Sequence, residues 1–263
     1  LEKNSLNYEI PGVNHFVWLT RAFAGGEDFF KIMDQLIDNP GDERWAKGLS
    51  KAMTPSRLDF YKKHGVIGIG DTMSWTGACW PWWYHQDEQV EAQFDNYPPM
   101  NGWNSYFTSV LDNAALVQRI AADVSQPVSK QFPDFFTDEL MIPLIEAIAC
   151  DIAKVLIVNM LNRNHLVPGI PEDFEVEVPA LCSGRGIQGI QTAPLPKHII
   201  AHTLRDRVSP VEMELEAFNH GRKDFLEELI LMDKWALSLE VTRSFLDEIL
   251  RLPYHREMAK HYR

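Results

Sequence analysis

The chain has 263 residues, a formal net charge of -12, and a composition that is 45% hydrophobic and 24% charged. That length holds one large core or two small ones, and the composition is that of a folded globular protein. Such acidity argues against nucleic acid or an anionic membrane surface as partner, since both need clustered Lys/Arg. The three cysteines, Cys79, Cys150 and Cys182, are odd in number and widely spaced, without a CxxC. They argue against a disulfide framework and a structural zinc site, and they point to a reducing, cytoplasmic compartment. The opening Leu1-Glu2-Lys3-Asn4-Ser5 has no signal-peptide pattern, and the charge-free stretch from Asn96 to Leu111 is too short and polar to span a membrane. The chain opens without Met shortly before an apparent core strand, so it is expected to be the C-terminal part of a longer protein.

The first element is Pro11-Gly12-Val13-Asn14-His15-Phe16-Val17-Trp18-Leu19, an apolar run that reads as a strand carrying an Asn-His pair. Strand alternation puts Val13, His15 and Val17 on one face and Asn14, Phe16 and Trp18 on the other. Glu27 to Ile37 has helical spacing of Phe29, Phe30, Ile32, Met33 and Leu36, and stops at Asn39-Pro40-Gly41. Thr54-Pro55 starts a second helix, with Thr as N-cap and Pro at the first position, and Gly65 ends it. Gly65 to Gly70 is a glycine-interrupted extended or loop segment. Asp71 to Tyr97 crowds Trp75, Trp80, Trp82, Trp83 and Tyr84 among Asp71, Ser74, His85, Asp87 and Glu88.

Helices are expected over Tyr106 to Ala122 and Pro143 to Ile152, then strands over Lys154 to Met160 and Phe174 to Val178. The strands read as an antiparallel pair joined by the polar, proline-bound loop Asn162 to Pro171, and long loops commonly carry function. The last third reads as helices. They are Leu195 to Arg207, a helix opened by the capping box Ser209-Pro210-Val211-Glu212 and closed by Gly221, Phe225 to Leu231, and Leu237 to Leu252. The fold class is α+β: mostly helical, with a small antiparallel sheet.

No GxGxxG follows a strand; Gly65, Gly68 and Gly70 run in the reverse order, and there is no Walker A, HExxH or GxSxG motif. What remains is a set of separated pieces: Asn14-His15, Asp71 behind a glycine loop, the patch Trp82-Trp83-Tyr84-His85, and Asn159 with Asn162 before Arg163. His15 is either a ligand or a satisfied core histidine. Aromatic rings beside carboxylates and amides suit sugar binding, and the same rings equally suit a core or an oligomer interface. Asp71 is a base candidate or a turn residue, and Arg163 a two-pronged substrate contact or a solvated cation.

In order, these pieces resemble glycoside hydrolase family 4. Gly12-Val13-Asn14-His15-Phe16-Val17-Trp18 resembles its G-[LVI]-N-H-x-x-W segment. Gly70-Asp71 before a Pro-Trp-rich stretch looks like its base-bearing region, and Arg163 to Pro171 like its N-x-G-x-[IV]-P-N-L-P loop. Phe174-Glu175-Val176-Glu177-Val178-Pro179 looks like its D-x-x-V-E-V-P strand, and Gly186-Ile187 with Pro194-Leu195-Pro196 like its G-I and G-P-L-P pair. In the loop, Arg163, His165 and Gly169 stand where the family has Asn, Gly and Asn.

The resemblance implies a C-terminal domain like that of lactate and malate dehydrogenases. It implies an enzyme that uses NAD and a divalent metal, usually Mn2+, to hydrolyse O-glycosyl bonds by oxidation at C3 and elimination, an exception to the two-carboxylate mechanism. His15 is then a metal ligand, and Asn14 orients the sugar or a metal ligand. Asp71 is the base for the C2 proton, with Tyr84 the runner-up; Asn159 and Arg163 are substrate-binding candidates. Residues 1–263 would form a single C-terminal catalytic and substrate-binding domain. The NAD-binding Rossmann half and a Cys metal ligand are absent from the chain, so in isolation it is expected to be inactive. The substrate is a small carbohydrate, an α-galacturonide, α-galactoside or α-glucoside, and the assembly a homodimer or homotetramer. The rival readings are the substrate domain of a related NAD-dependent dehydrogenase and a non-catalytic oligomerisation or sugar-binding module.

Overall fold

The computed structural model describes residues 6–39, 41–43, 53–74, 80–94, 99–125, 127–131 and 139–263. Trp75 and Cys79, singled out above, lie outside the described residues. The chain divides into two compact units, Leu1–Met160 with Glu177–Ala193, and Leu161–Val176 with Pro194–Arg263.

The first unit opens on five short strands, β1 (Leu6–Glu9), β2 (Gly12–Val13), β3 (Phe16–Leu19), β4 (Arg21–Ala24) and β5 (Glu27–Asp28). It continues with α1 (Phe29–Asp38), α2 (Pro55–His64), β6 (Ile67–Ile69), a 3-10 turn over Gly70–Met73 and another over Trp82–Tyr84. Then come α3 (Glu88–Gln93), α4 (Pro99–Ala122), α5 (Met141–Ala149), β7 (Lys154–Leu161), β8 (Glu175–Ser183) and β9 (Gly186–Gly189). β1, β4 and β5 form one antiparallel sheet in the order β1-β4-β5, with Leu6 opposite Ala24 and Glu9 opposite Arg21. The second sheet runs β6-β3-β2-β8-β7, with β9 paired to β8. All four residues of β3 are buried, as befits a strand with neighbours on both edges.

Both sheets contain a two-residue hairpin whose central residues have positive φ, the condition for a type I′ turn. Gly25-Gly26 (φ 61° and 87°) joins β4 to β5. Asn14-His15 (φ 37° and 60°) joins β2 to β3, with Val13 opposite Phe16. The continuous strand expected through Asn14-His15 is therefore corrected: alternation fails because the chain reverses there. Gly12 allows the reversal to close, since a Cβ on it would lie 2.2 Å from the Phe16 carbonyl oxygen and 2.6 Å from Val17 Cα.

Among the described residues, three apolar clusters hold this unit. Phe16 and Trp18 share one face of β3 and pack with Phe60 and Trp80, at centroid separations of 4.6 Å for Phe16–Trp80 and 5.3 Å for the stacked Trp18–Phe60 pair. Trp80 is thus core, not a sugar platform; Trp82 and Trp83 are half-buried beside it. On the other face, Leu19 joins Ala22, Met33, Met53, Tyr61 and Ile67. Ala147 of α5 packs on Ala180 and Cys182 of β8 and on Leu156, Val158 and Met160 of β7. Helix ends follow the local signals. Asp28 caps α1 by accepting the Phe30 N–H at 2.9 Å, Thr54 caps α2, and Gly65 ends α2 at φ 69°.

The second unit begins with the loop after β7 and ends in helices. α6 (Lys197–Thr203) runs through a π turn at Leu204–Val208 into α7 (Ser209–His220), followed by α8 (Lys223–Leu231), α9 (Leu239–Arg251) and α10 (Arg256–His261). The capping box expected at Ser209 is corrected: Ser209 is helical, and its hydroxyl donates to Leu204 O at 2.8 Å. Pro210 lacks an N–H and crowds the carbonyl four residues back, and the helix accommodates it with a π turn rather than a break. Ala217, Leu226 and Leu246 form the core of the last four helices. Among the described residues, no helix is long and apolar enough to cross a membrane. Cys150 and Cys182 are free, the first exposed and the second buried.

Candidate active site

The His15 hairpin and the Gly70–Met73 turn bring two of the expected residues together. His15 Nδ1 lies 3.2 Å from Asp71 Oδ2, with the side chains 71% and 41% exposed. The turn throws His15 away from the sheet, so its ring is neither buried nor part of the core. Asp71 gets its place from β6, which pairs with β3 in the register Val17↔Ile69, two residues from each partner. Arg57 of α2 donates from Nη2 to Gly70 O at 2.9 Å. Burial pulls its guanidinium below the usual range, and the charge of nearby Asp71 opposes that.

Glu177 completes the cluster from a third strand. Gly12 of β2 pairs with Glu177 of β8, and the Glu177 carboxylate accepts the His15 backbone N–H at 3.2 Å. A carboxylate thus holds the turn from below while another faces the imidazole. In the sequence Glu177 stands only in a strand motif; strand alternation puts it on the face away from the core residues Val176 and Val178, and that is the signal that marks it.

Asn14 occupies the first turn position and is exposed. Asn159 is exposed on β7, on the face opposite Leu156, Val158 and Met160. Since those residues share a cluster with Ala180 and Cys182 of β8, Asn159 and Glu177 belong to the same outer face of the sheet. Tyr84 is different. Its hydroxyl is buried and donates to Asp59 Oδ2 at 2.6 Å, and burial plus that carboxylate push its pKa far up. So engaged, the phenol is held in its neutral, donating form.

Arg163 belongs to the second unit, exposed in the loop after β7, where Leu161, Arg163, Asn164, Glu172 and Asp173 line a shallow groove of about 430 Å3. The loop is organised by Asn162, to which the sequence alone gives no role. Its fully buried amide donates to Val167 O and Ile170 O at 3.1 and 2.8 Å and accepts the Val167 N–H at 2.7 Å. Asn164-His165 is a further Asn-His pair at positive φ (59° and 53°), and Glu172 accepts the Asn164 N–H at 2.9 Å.

An imidazole with Nδ1 against a carboxylate is oriented so that Nε2 can present its lone pair to a metal. The His15–Asp71 pair therefore fits one corner of a divalent metal site. Among the described residues, no group of three His, Cys, Asp or Glu side chains is placed to hold a metal ion. The sequence has no glycine fingerprint that opens a helix after a strand, the pattern that cradles a dinucleotide pyrophosphate.

Comparison with known proteins gives these residues a family. The chain is 23% identical over 219 residues to an alpha-galacturonidase of Lachnoclostridium phytofermentans, covering 78% of this chain and 44% of that protein. Its fold is similar to that of lplD from Bacillus subtilis (TM-score 0.68, 18% identity, 94% of this chain and 56% of that one). It is also similar to a 6-phospho-beta glucosidase from Thermotoga maritima solved with manganese, NAD+ and glucose-6-phosphate (TM-score 0.62, 13% identity, 98% and 54%). The chain spans about half the length of these relatives. The glycosyl hydrolase family 4 C-terminal domain matches residues 10–236, and with the α+β fold around the Asn14-His15 turn the chain belongs to that family.

Proposed function

We propose that this chain is the C-terminal catalytic and substrate-binding part of an NAD- and divalent-metal-dependent glycosidase. Its substrate is a small α-galacturonide, α-galactoside or α-glucoside, and NAD is held by residues outside it. One observation carries the reading: the turn that Gly25-Gly26 makes without strain is made between the central strands β2 and β3 by Asn14-His15, against a carboxylate. A non-glycine residue in the left-handed region costs about 1–2 kcal/mol, and such strain collects at functional sites. The metal expected is Mn2+, which a neutral imidazole can bind, though carboxylate and water ligands suit it better.

In this reading His15 binds the metal through Nε2, and Asn14 orients a sugar hydroxyl beside it. A bound divalent metal supplies positive charge at the sugar oxygens, and NAD+ a hydride acceptor for C3. Asp71 accepts the proton from C2. Asn159 and Arg163 stay proposed as hydroxyl contacts, each argued from its own unit, and Tyr84 takes no part. The 3.2 Å contact favours a second role for Asp71, holding the imidazole in orientation for the metal. Asp71→Asn separates the two. A base gives a kcat loss of about 100-fold or more with unchanged Mn2+ affinity; an orienting group gives a fall of about 10–100-fold in Mn2+ affinity. Wild-type kcat and Mn2+ affinity in the variant would remove Asp71 from the mechanism.

The proposal includes a cytoplasmic location, resting on cysteine usage, and assembly as a homodimer or homotetramer. Exposed apolar side chains along α4, among them Phe107, Leu111 and Val117, support the latter. Light scattering on the full-length protein tests it.

A further inference from the structure

Asp71 is followed by a threonine whose side chain is wholly buried. Thr72 Oγ1 accepts the Val17 N–H at 2.9 Å and lies within hydrogen-bond distance of three carbonyl oxygens, Ile69 at 2.7 Å, Val17 at 2.8 Å and His15 at 3.1 Å. A hydroxyl has one proton and two lone pairs. The three carbonyls therefore share a single donor, and the oxygen sits where the segment bearing His15 and the segment bearing Asp71 meet. The methyl group of Thr72 is seated too: a Cβ on Gly68 would come within 3.2 Å of Thr72 Cγ2 and 2.9 Å of Met73 Cγ, so β6 carries glycine beneath it.

The β3–β6 register brings the two segments close, and the Thr72 hydroxyl is the buried contact that joins their ends. We propose that Thr72 is the positioning residue of the site: its hydroxyl ties the His15 hairpin to the Asp71 turn and so sets the imidazole against the carboxylate. The inference deepens the proposed function, on which its catalytic consequence rests; the positioning itself does not need a metal to be observed. Removing the hydroxyl takes from the Val17 N–H one acceptor besides the paired strand β6, and from the His15 carbonyl its share of the donor, which loosens the turn.

The test uses the full-length protein carrying Thr72→Val, Thr72→Ser, Asp71→Asn or His15→Ala, with 15N-labelled histidine. In metal-free protein, Thr72→Val is expected to move the His15 imidazole resonances to where Asp71→Asn puts them, and Thr72→Ser to leave them at wild-type positions. With Mn2+ added, Thr72→Val is expected to lose about tenfold or more in metal affinity and to lower kcat more than it changes KM, and Thr72→Ser to restore both. Wild-type imidazole resonances in Thr72→Val, or equal losses in Val and Ser, would overturn the proposal. If His15→Ala binds Mn2+ as tightly as wild type, the metal reading of His15 fails, and the metal-free resonances alone decide on Thr72. Should the Val variant not fold, Thr72→Cys, which is unbranched like Ser, slightly larger and a weaker hydrogen-bonding group, replaces it. Displaced imidazole resonances in Cys but not in Ser then support the proposal, and wild-type resonances in Cys overturn it.

Discussion

Glycine at position 15 would relieve strain of about 1–2 kcal/mol while adding about 0.5–1 kcal/mol of chain entropy to the unfolded state. The exposed imidazole–carboxylate pairing with Asp71, which this substitution removes, is worth about 0–1 kcal/mol, comparable with the entropy term. His15→Gly is therefore expected to leave the metal-free stability unchanged or raise it by up to about 1 kcal/mol, while Mn2+ affinity falls at least about tenfold. Urea unfolding and metal titration of the same sample check this, and a clear stability loss would assign His15 a structural role. Tyr84 makes the opposite case. Burial pushes Asp59 up, but hydrogen bonds from Lys63 and Tyr84 outweigh it and hold the carboxyl below its usual range, while Tyr84 is held above the usual phenol range. The Asp59 contribution is present above the unfolded carboxyl pKa and lost as pH falls through the lower folded one. The Tyr84 contribution is present below the unfolded phenol pKa and lost as pH rises through the higher folded one. Tyr84→Phe is thus expected to cost about 1 kcal/mol at neutral pH, with a smaller difference from wild type below about pH 3 and above about pH 10. Stability against pH for both proteins is the check. His15 and Asp71 were legible as chemistry in the sequence because they belong to ordered motifs. Thr72 and Glu177 were not, because what they do depends on pairing between β2, β3, β6 and β8 across 55 and 162 residues of separation.

At the level of elements, the hairpin β2–β3 is the part on which the site depends. Gly12→Ala would drive a Cβ into the Phe16 carbonyl and Val17, backbone atoms that cannot rotate away. The expected loss is about 3 kcal/mol or more, with weakened Mn2+ binding, measured by thermal unfolding of the metal-free protein; stability within about 0.5 kcal/mol of wild type would mean the register differs. Capping and termination signals gave the helices their places, as at Thr54-Pro55, Gly65 and Gly221, where local chemistry alone decides. Two readings failed for the same physical reason. A two-residue turn without glycine looks like a continuing strand, and Ser-Pro looks like a helix start when the helix instead absorbs it in a π turn. In each case the neighbours across the sheet or along the helix override the local pattern.

For the whole molecule, the chain covers about half of its relatives, and its two compact units place Asn14, His15, Asp71 and Asn159 in one and Arg163 in the other. The α+β class and the family could be read from the order of motifs. The completion of the metal site and the hold on NAD could not, since this sequence has neither the glycine loop nor, among the described residues, a full set of ligands for them. The most direct measurement is hydrolysis of aryl α-galacturonide, α-galactoside and α-glucoside by the full-length protein, with NAD+ and Mn2+ present and then each withheld. Hydrolysis of one of the three that needs both, accumulates no NADH and is abolished by His15→Ala is the expected result. Hydrolysis that survives removal of either, or steady NADH formation without hydrolysis, would contradict it.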